Sequence, residues 1–589
     1  MGSSRLDEGA RAAALEAMAA SADGKDEFDL LVIGGGITGA GVALDAVSRG
    51  LRVALVEAQD WGGGTSSRSS KLVHGGLRYL QTGDFWLVHE ALVERDLLVS
   101  RLAPHLIKPT PFILPLKRRI WERAYIGAGL ALYDTLATLS VRRRTMPLHR
   151  HLSRRGVQKS FPGMTSTAAL GGVHYWDAQV DDARFVLTVV RTATQFGAHA
   201  ASRTQVTGFI RNTEGTILGA EVVDLESGKR LTVRAAHTIN ATGVWVEQTD
   251  ELAGGDGMLR VLASKGVHIV VPRGCIEGYA ALTIPTEKSV LFVIPWGNYW
   301  LIGTTDTPWT GGLQFPTVRP SDIDYLLDHA NAVLNRPLTR DDIVASWAGL
   351  RPLLKQERKR PSDSVKLSRE HSVARTSSGL SSVAGGKLTT YRIMARDAVN
   401  IALGSRADDR PSITEQLPLL GAHGVDIIRR QLDSIACEFQ WTTERVERLI
   451  TRYGSLVHEL IELARQSPDL AKPLDAASEY VAAEIVYGLT HEGAIHVEDL
   501  MLHRTRLHFQ DTARALQALP EVLLLAERHA GWTRQRCNAE RELYVSRLEV
   551  ESETTTRESD ATAQAVRHDA PRPAPWQESR EAAVEVGRA

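Results

Sequence analysis

The pattern of apolar and polar positions changes character along the chain. Phe28-Asp29-Leu30-Leu31-Val32-Ile33 is a short apolar run that ends abruptly in glycines, as a strand buried in a parallel sheet does. Helical spacing follows over 42–49, and Leu51-Arg52-Val53-Ala54-Leu55-Val56 reads as a second strand, so an α/β domain opens at Phe28. Beyond a polar stretch at 405–412 helical spacing dominates. Val446, Leu449, Ile450 and Tyr453 fall at i, i+3, i+4 and i+7, with Gly454 as a stop. This predicts a helical domain over 411–550. Residues 1–27 are Ala-rich and carry Asp7, Glu8 and Glu16; they are expected to be flexible. Residues 551–589 begin Glu551-Ser552-Glu553-Thr554-Thr555-Thr556 and contain Pro571, Pro573 and Pro575, too little apolar surface to fold, and are expected to be disordered.

Composition narrows the field. With 43% hydrophobic and 24% charged residues the chain reads as globular, and 69 Lys plus Arg against 70 Asp plus Glu create no global field for nucleic acid. Cys275, Cys437 and Cys537 lie far apart, which argues against a disulfide framework or a structural zinc. The start of the chain lacks the basic segment and apolar run of a secretory signal, so a cytoplasmic protein is expected. The most apolar stretch, 125–139, contains Asp134 and falls short of the roughly 20 residues that cross a bilayer. It is flanked by Arg118, Arg119 and Arg123 before and Arg142, Arg143, Arg144, Arg150, Arg154 and Arg155 after. That fits an amphipathic segment on anionic lipid as well as a soluble core helix with charged ends.

Gly34-Gly35-Gly36-Ile37-Thr38-Gly39 carries G-x-G-x-x-G between the first strand and its helix. Gly34 permits the turn, Gly36 lets the backbone approach a diphosphate, and Gly39 allows close helix packing; the helix N-terminus offers amides and a positive dipole. Glu57, at the end of the second strand, stands where a carboxylate accepts from ribose hydroxyls. The fingerprint does not separate NAD from FAD, but no second copy occurs, so one dinucleotide is expected. His491-Glu492-Gly493-Ala494-Ile495-His496 is not a zinc motif, because its histidines are five apart and would not share a helix face. No G-x-S-x-G elbow is present.

Further motifs follow in order: Thr65-Ser66-Ser67-Arg68-Ser69-Ser70-Lys71-Leu72-Val73-His74-Gly75-Gly76-Leu77-Arg78-Tyr79, Asn240-Ala241-Thr242-Gly243, Lys265-Gly266-Val267-His268, Ile302-Gly303-Thr304-Thr305-Asp306, Gly349-Leu350-Arg351-Pro352, Gly385-Gly386-Lys387-Leu388-Thr389-Thr390-Tyr391-Arg392 and Leu502-His503-Arg504-Thr505-Arg506. Together they resemble the FAD-dependent sn-glycerol-3-phosphate dehydrogenases, aerobic quinone-linked members of the DAO-type flavoproteins. The chain departs from the family at Val267, where a serine is usual, and at Arg68, within a run usually small.

The resemblance implies an α/β fold: a Rossmann-like FAD-binding domain (about 28–100, 170–265 and 345–400) interleaved with an antiparallel-sheet substrate domain (about 101–169 and 266–344), then the all-α C-terminal domain. It implies oxidation of glycerol 3-phosphate to dihydroxyacetone phosphate, with electrons passed to a membrane quinone from the inner face of the cell membrane. A homodimer is left open. FAD would be held by Gly34, Gly36, Ile37, Thr38 and Gly39, by Glu57, by Thr65, Ser66, Ser67, Ser69 and Ser70, by Ala241, Thr242 and Gly243, and by Gly385, Gly386, Lys387, Leu388 and Thr389. Arg78, Tyr79, Arg369 and Lys387 would meet the substrate phosphate, whose oxygens match cationic donors. His268 is the natural proton acceptor, since an imidazole with an ordinary pKa near 6.5 is partly neutral at working pH; the alternative is a hydrogen-bonded core histidine. Arg351, always charged, would stabilise a developing alkoxide. His74 is not assigned a catalytic role. Two rival readings remain: an oxidase returning electrons to oxygen, and a non-catalytic flavin-binding redox sensor.

Overall fold

The computed structural model describes residues 3–76, 84–117, 121–140, 145–255, 259–287, 290–355, 371–568 and Pro571. Phe28–Ile33 is a buried strand. It pairs in parallel with Arg230–Asn240 on one side and Val53–Val56 on the other, and Leu380–Gly385 and His199–Ala201 extend this sheet outward in parallel. The helix Ile37–Ser48 leaves the first strand and packs against Asp182–Gln195 and Tyr391–Leu403. Gly41 makes room for Tyr391–Leu403, since a Cβ there would lie 2.8 Å from the Tyr391 ring, and Gly39 seats the helix on the strand turn, where a Cβ would lie 1.8 Å from the carbonyl oxygen of Gly34, which itself turns at φ +106°.

A second, ten-stranded sheet roofs the first domain. Its spine is Val261–Pro272, antiparallel to Ala345–Leu354 on one side and Tyr299–Gly303 on the other, in a register that sets His268 opposite both Trp347 and Gly303. The sequence-based boundaries therefore need correction. Gly171–Gln179, the start of Val261–Pro272 and all of Ala345–Leu354 belong to this second sheet rather than the first. Strands such as these do not reveal in their own sequence which sheet they join; cross-strand partners far away in the chain decide it.

The C-terminal region is helical, and Thr443–Tyr453 buries Val446, Leu449, Ile450 and Tyr453, the four positions its spacing picks out. It is not a separate body: Tyr453 and Leu460 share one apolar core with Phe112, Tyr175, Leu301 and Trp347 of the second sheet. Two expectations about the ends are overturned. Glu8–Ala20 is a helix, capped by Asp7 and pinned by Arg11 to Asp224 (2.5 Å), and its Met18 enters the core beneath Phe28 and Leu31. Alanine both favours helix and packs closely, so an Ala-rich segment with only Leu15 and Met18 as large apolar residues still folds here. At the other end the helix Arg534–Thr554 runs into the region expected to be disordered, and a further helix, Asp560–His568, follows.

Candidate functional site

One large cavity, about 740 Å³, lies between the two sheets and gathers widely separated segments. Gly34, Gly36, Ile37 and Thr38 line it, as do Glu57, Thr65, Ser66, Ser69, Ser70, Ala241, Thr242, Gly243, Gly385, Gly386, Lys387, Leu388 and Thr389, together with His268 and Arg351. Gly39 and Ser67 are not on its wall. Gly39 faces the strand turn, and Ser67 is buried beneath the loop with its hydroxyl toward the carbonyl of Gly64. Arg78, Tyr79 and Arg369, with Arg118, Arg119, Arg142, Arg143 and Arg144, lie outside the described residues.

At one end, Ile37–Ser48 has no side-chain cap of its own, and its first amide, of Ile37, donates to Ser66 Oγ at 3.0 Å. Glu57 accepts from the amides of Gly35 (2.5 Å) and Gln59 (2.7 Å). Burial pushes the Glu57 carboxyl up, against the pull of those amides. A second helix, Tyr391–Leu403, also lacks a side-chain cap, and the Lys387 to Thr389 stretch before it lies on the cavity. Two helix N-termini thus direct positive potential into one space.

At the other end sits His268, buried among the strands. Ser70 Oγ lies 2.8 Å from its Nε2, and its ring stacks on Trp347 at 5.2 Å between centroids. Burial, then the charges of Arg351 and Lys71, hold its pKa well below the usual imidazole range, so it is neutral at physiological pH. Arg351 is oriented by the Gly-Thr-Thr-Asp segment: its guanidinium donates to Thr304 Oγ1 (3.0 Å), the carbonyl of Thr305 (3.2 Å) and Asp306 (3.3 Å). This explains why those two motifs occur together.

A set of polar residues behind the cavity is not apparent from local sequence. Asp182 accepts from Lys71 Nζ (2.9 Å) and Arg506 Nη2 (3.1 Å), both buried with it, and from the amide and hydroxyl of the half-buried Ser69 (3.0 and 2.7 Å). Arg504 forms a fork with Asp60 at 2.6 and 2.9 Å, and His503 Nδ1 adds a contact at 2.6 Å. Burial alone would raise the Asp60 carboxyl, yet Arg504 holds it well below the usual range. The Leu502 to Arg506 motif is thus a latch beneath the loop of hydroxyl residues; its family resemblance marks it in sequence, but nothing local to it identifies Asp60 and Asp182 as its partners. Ligand atoms of Asp60, Asp499 and His503 converge within 4.8 Å, but Arg504 holds both Asp60 oxygens and Arg203 donates to Asp499 at 2.7 Å, so guanidinium already meets that charge.

Residues 29–392 match the FAD dependent oxidoreductase family, DAO, and residues 412–537 match the C-terminal domain of alpha-glycerophosphate oxidase. The glycerol-3-phosphate dehydrogenase of Mycobacterium leprae is 44% identical over 549 residues, 93% of this chain and 92% of that one. The chain belongs to the FAD-dependent glycerol-3-phosphate dehydrogenase family. The mitochondrial glycerol-3-phosphate dehydrogenase of Homo sapiens is 35% identical over 88% of this chain and 72% of its own length. Among solved structures, that of the Bacillus halodurans glycerol-3-phosphate dehydrogenase complexed with FAD is similar at TM-score 0.72 and 28% identity, covering 92% of this chain and 97% of that one.

The cavity of this dehydrogenase fits the cofactor its family carries. Its size lies in the range of cofactor pockets. Gly36 lies on the cavity wall, where a Cβ would meet only Ser66 Oγ at 3.2 Å and would narrow the approach to the backbone, two helix ends without a side-chain cap of their own suit the diphosphate and an electron-rich ring, and Glu57 retains lone pairs for ribose hydroxyls.

Proposed function

We propose that this protein oxidises sn-glycerol 3-phosphate to dihydroxyacetone phosphate and passes the electrons to a membrane quinone. The observation that carries the reading is the convergence of a neutral buried imidazole, an oriented guanidinium and Lys387 in the cavity that the glycine turn opens. Bound FAD supplies the two-electron acceptor for the substrate's C2 hydrogen. His268 takes the hydroxyl proton at Nε2, the nitrogen that Ser70 Oγ approaches. Its neutrality matters, because a protonated ring could not accept. Arg351, fixed by Thr304, Thr305 and Asp306, stabilises charge growing on the substrate oxygen without reorganising. Lys387, with Arg78, Tyr79 and Arg369, holds the phosphate and so positions C2.

The test is anaerobic addition of glycerol 3-phosphate to the purified holoprotein. Bleaching of the flavin spectrum, reversed by a soluble quinone analogue, is the expected result. A flavin that stays oxidised would overturn the substrate assignment, and reoxidation by oxygen as fast as by quinone would favour the oxidase.

Membrane contact belongs to the same reading. Among the described residues no helix is long and apolar enough to cross a bilayer. Trp121–Ser140 packs against Phe85–Leu97, whose first residues are unusually apolar for a surface: Phe85 is 50% and Trp86 75% exposed, and Leu132 and Leu148 are also exposed. Exposed Arg150, Arg154 and Arg155 lie close in sequence. Aromatic anchors with arginines suit a peripheral site on the inner face of an anionic membrane, where a quinone can be reached. Trp86→Glu is expected to lower binding to vesicles containing anionic phosphatidylglycerol about tenfold or more, on the scale of losing one buried aromatic anchor. Undiminished sedimentation with vesicles would place the contact elsewhere.

A further inference from the structure

The helix Asp560–His568 falls beyond the matched C-terminal domain, which ends at residue 537, and composition gives no reason for it to be ordered. Nine residues are too few to hold a helix in water unaided. Three tethers hold it, each to a different part of the molecule. Asp560 Oδ1 pairs with Lys265 Nζ at 2.9 Å, on the spine strand of the second sheet, and with Arg319 Nε at 3.0 Å. Gln564 makes a reciprocal pair with the backbone of Gly312: its Oε1 accepts from the amide at 2.6 Å and its Nε2 donates to the carbonyl at 3.2 Å. A Cβ on the preceding Gly311 would fall 2.6 Å from Gln564 Oε1, so that loop is shaped to receive the side chain. Arg567 donates to Glu551 at 2.9 Å and lies 4.8 Å from the ring of Phe315.

The face turned inward is part of the cavity already described. Gln564, Arg567 and His568 line it together with the 312–315 loop, the glycine turn and Glu57. Arg68 lines the same cavity, and it and Arg567 feel each other's charge. The wall that this helix completes is therefore polar and cationic, and the expected occupant carries a diphosphate.

We propose that Asp560–His568 is a component of the cofactor site, a C-terminal strap whose Gln564, Arg567 and His568 close the cavity over FAD and slow its release. The proposal rests on the reading of this cavity as the FAD site. It assigns cofactor retention to side chains that follow Gly34 by more than five hundred positions and that no dinucleotide fingerprint includes. Release then requires the strap to detach, so the three tethers set the dissociation rate.

The experiment measures FAD release from full-length holoprotein, by recovery of free-flavin fluorescence on dilution, beside Asp560→Ala and a chain ending at Arg557. Asp560→Ala removes two ion pairs of the strap but leaves Lys265 its partner Asp322 at 2.8 Å, so the sheet beneath keeps its buried pair. Release is expected to be several-fold faster in Asp560→Ala and at least about tenfold faster in the shortened chain. Trypsin cleavage after Arg567, which is buried, should be slowed by FAD in the wild type and less so in Asp560→Ala. Equal release rates in wild type and Asp560→Ala, with cleavage unaffected by FAD, would overturn the strap even if the shortened chain failed to fold. A wild type that retains no flavin at all would instead overturn the reading of the cavity, and the strap with it.

Discussion

Replacing His268 with alanine is expected to slow flavin reduction by glycerol 3-phosphate on the order of 10²–10⁴-fold, the usual worth of a positioned general base, while FAD remains bound. Stopped-flow absorbance under anaerobic conditions measures it. A structural role alone would predict a different pattern, with loss of flavin or of thermal stability and little change in the rate of the molecules that stay loaded. The environment of the ring sharpens the test. Burial and the nearby charges of Arg351 and Lys71 keep the imidazole neutral well below its ordinary pKa. The reduction rate at saturating substrate should therefore show no loss from His268 protonation between about pH 8 and about pH 6, across the usual imidazole range. A fall with a midpoint near the ordinary imidazole value would mean that the ring is solvated and not the buried acceptor described above.

Asp182→Ala is expected to be the most damaging substitution for stability. It leaves the buried Lys71 and Arg506 without their shared carboxylate, and the half-buried Ser69 without its acceptor. Breaking a buried pair by removing one partner costs roughly 3–5 kcal/mol, because the remaining charge is left desolvated. The urea midpoint should fall accordingly, and activity at low temperature should fall with it, since Ser69 and Lys71 flank Ser70, which contacts His268. Asp182→Asn, which keeps the shape and can still accept, should recover part of the loss. A midpoint within error of the wild type in Asp182→Ala would show that water reaches this cluster.

The parts of the fold that were legible in the sequence are those decided locally. The first strand, the glycine turn and Glu57 lie within thirty residues of one another, and each has a stereochemical reason to be where it is. The amphipathic run from Val446 to Tyr453 identifies its buried face because helical periodicity is a local property. His268 and Arg351 stood out as candidates, but the partners that tune them did not. Ser70 is 198 residues from His268 and Thr304 is 47 from Arg351, and only the register of the second sheet brings them together. The terminal segments failed for another reason. A compositional test asks how much apolar surface a segment can bury, whereas Asp560–His568 is held by ion pairs and backbone hydrogen bonds and buries little apolar surface beyond Ala563. Glu8–Ala20 is held against the sheet by small residues, Leu15 and Met18, and by the Arg11–Asp224 pair.

The fork between Arg504 and Asp60 also sets an order of events during synthesis. The two residues are 444 positions apart, so on a ribosome adding about 5–20 residues per second the first strand-helix-strand unit waits roughly 20–90 s for its guanidinium. Throughout that interval the Asp60 carboxylate cannot be buried without a counter-charge, and the loop of hydroxyl residues lacks its support from Arg506. Until Arg504 and Arg506 are made, the loop that forms part of the cavity wall lacks two guanidinium groups that hold it from beneath in the folded protein.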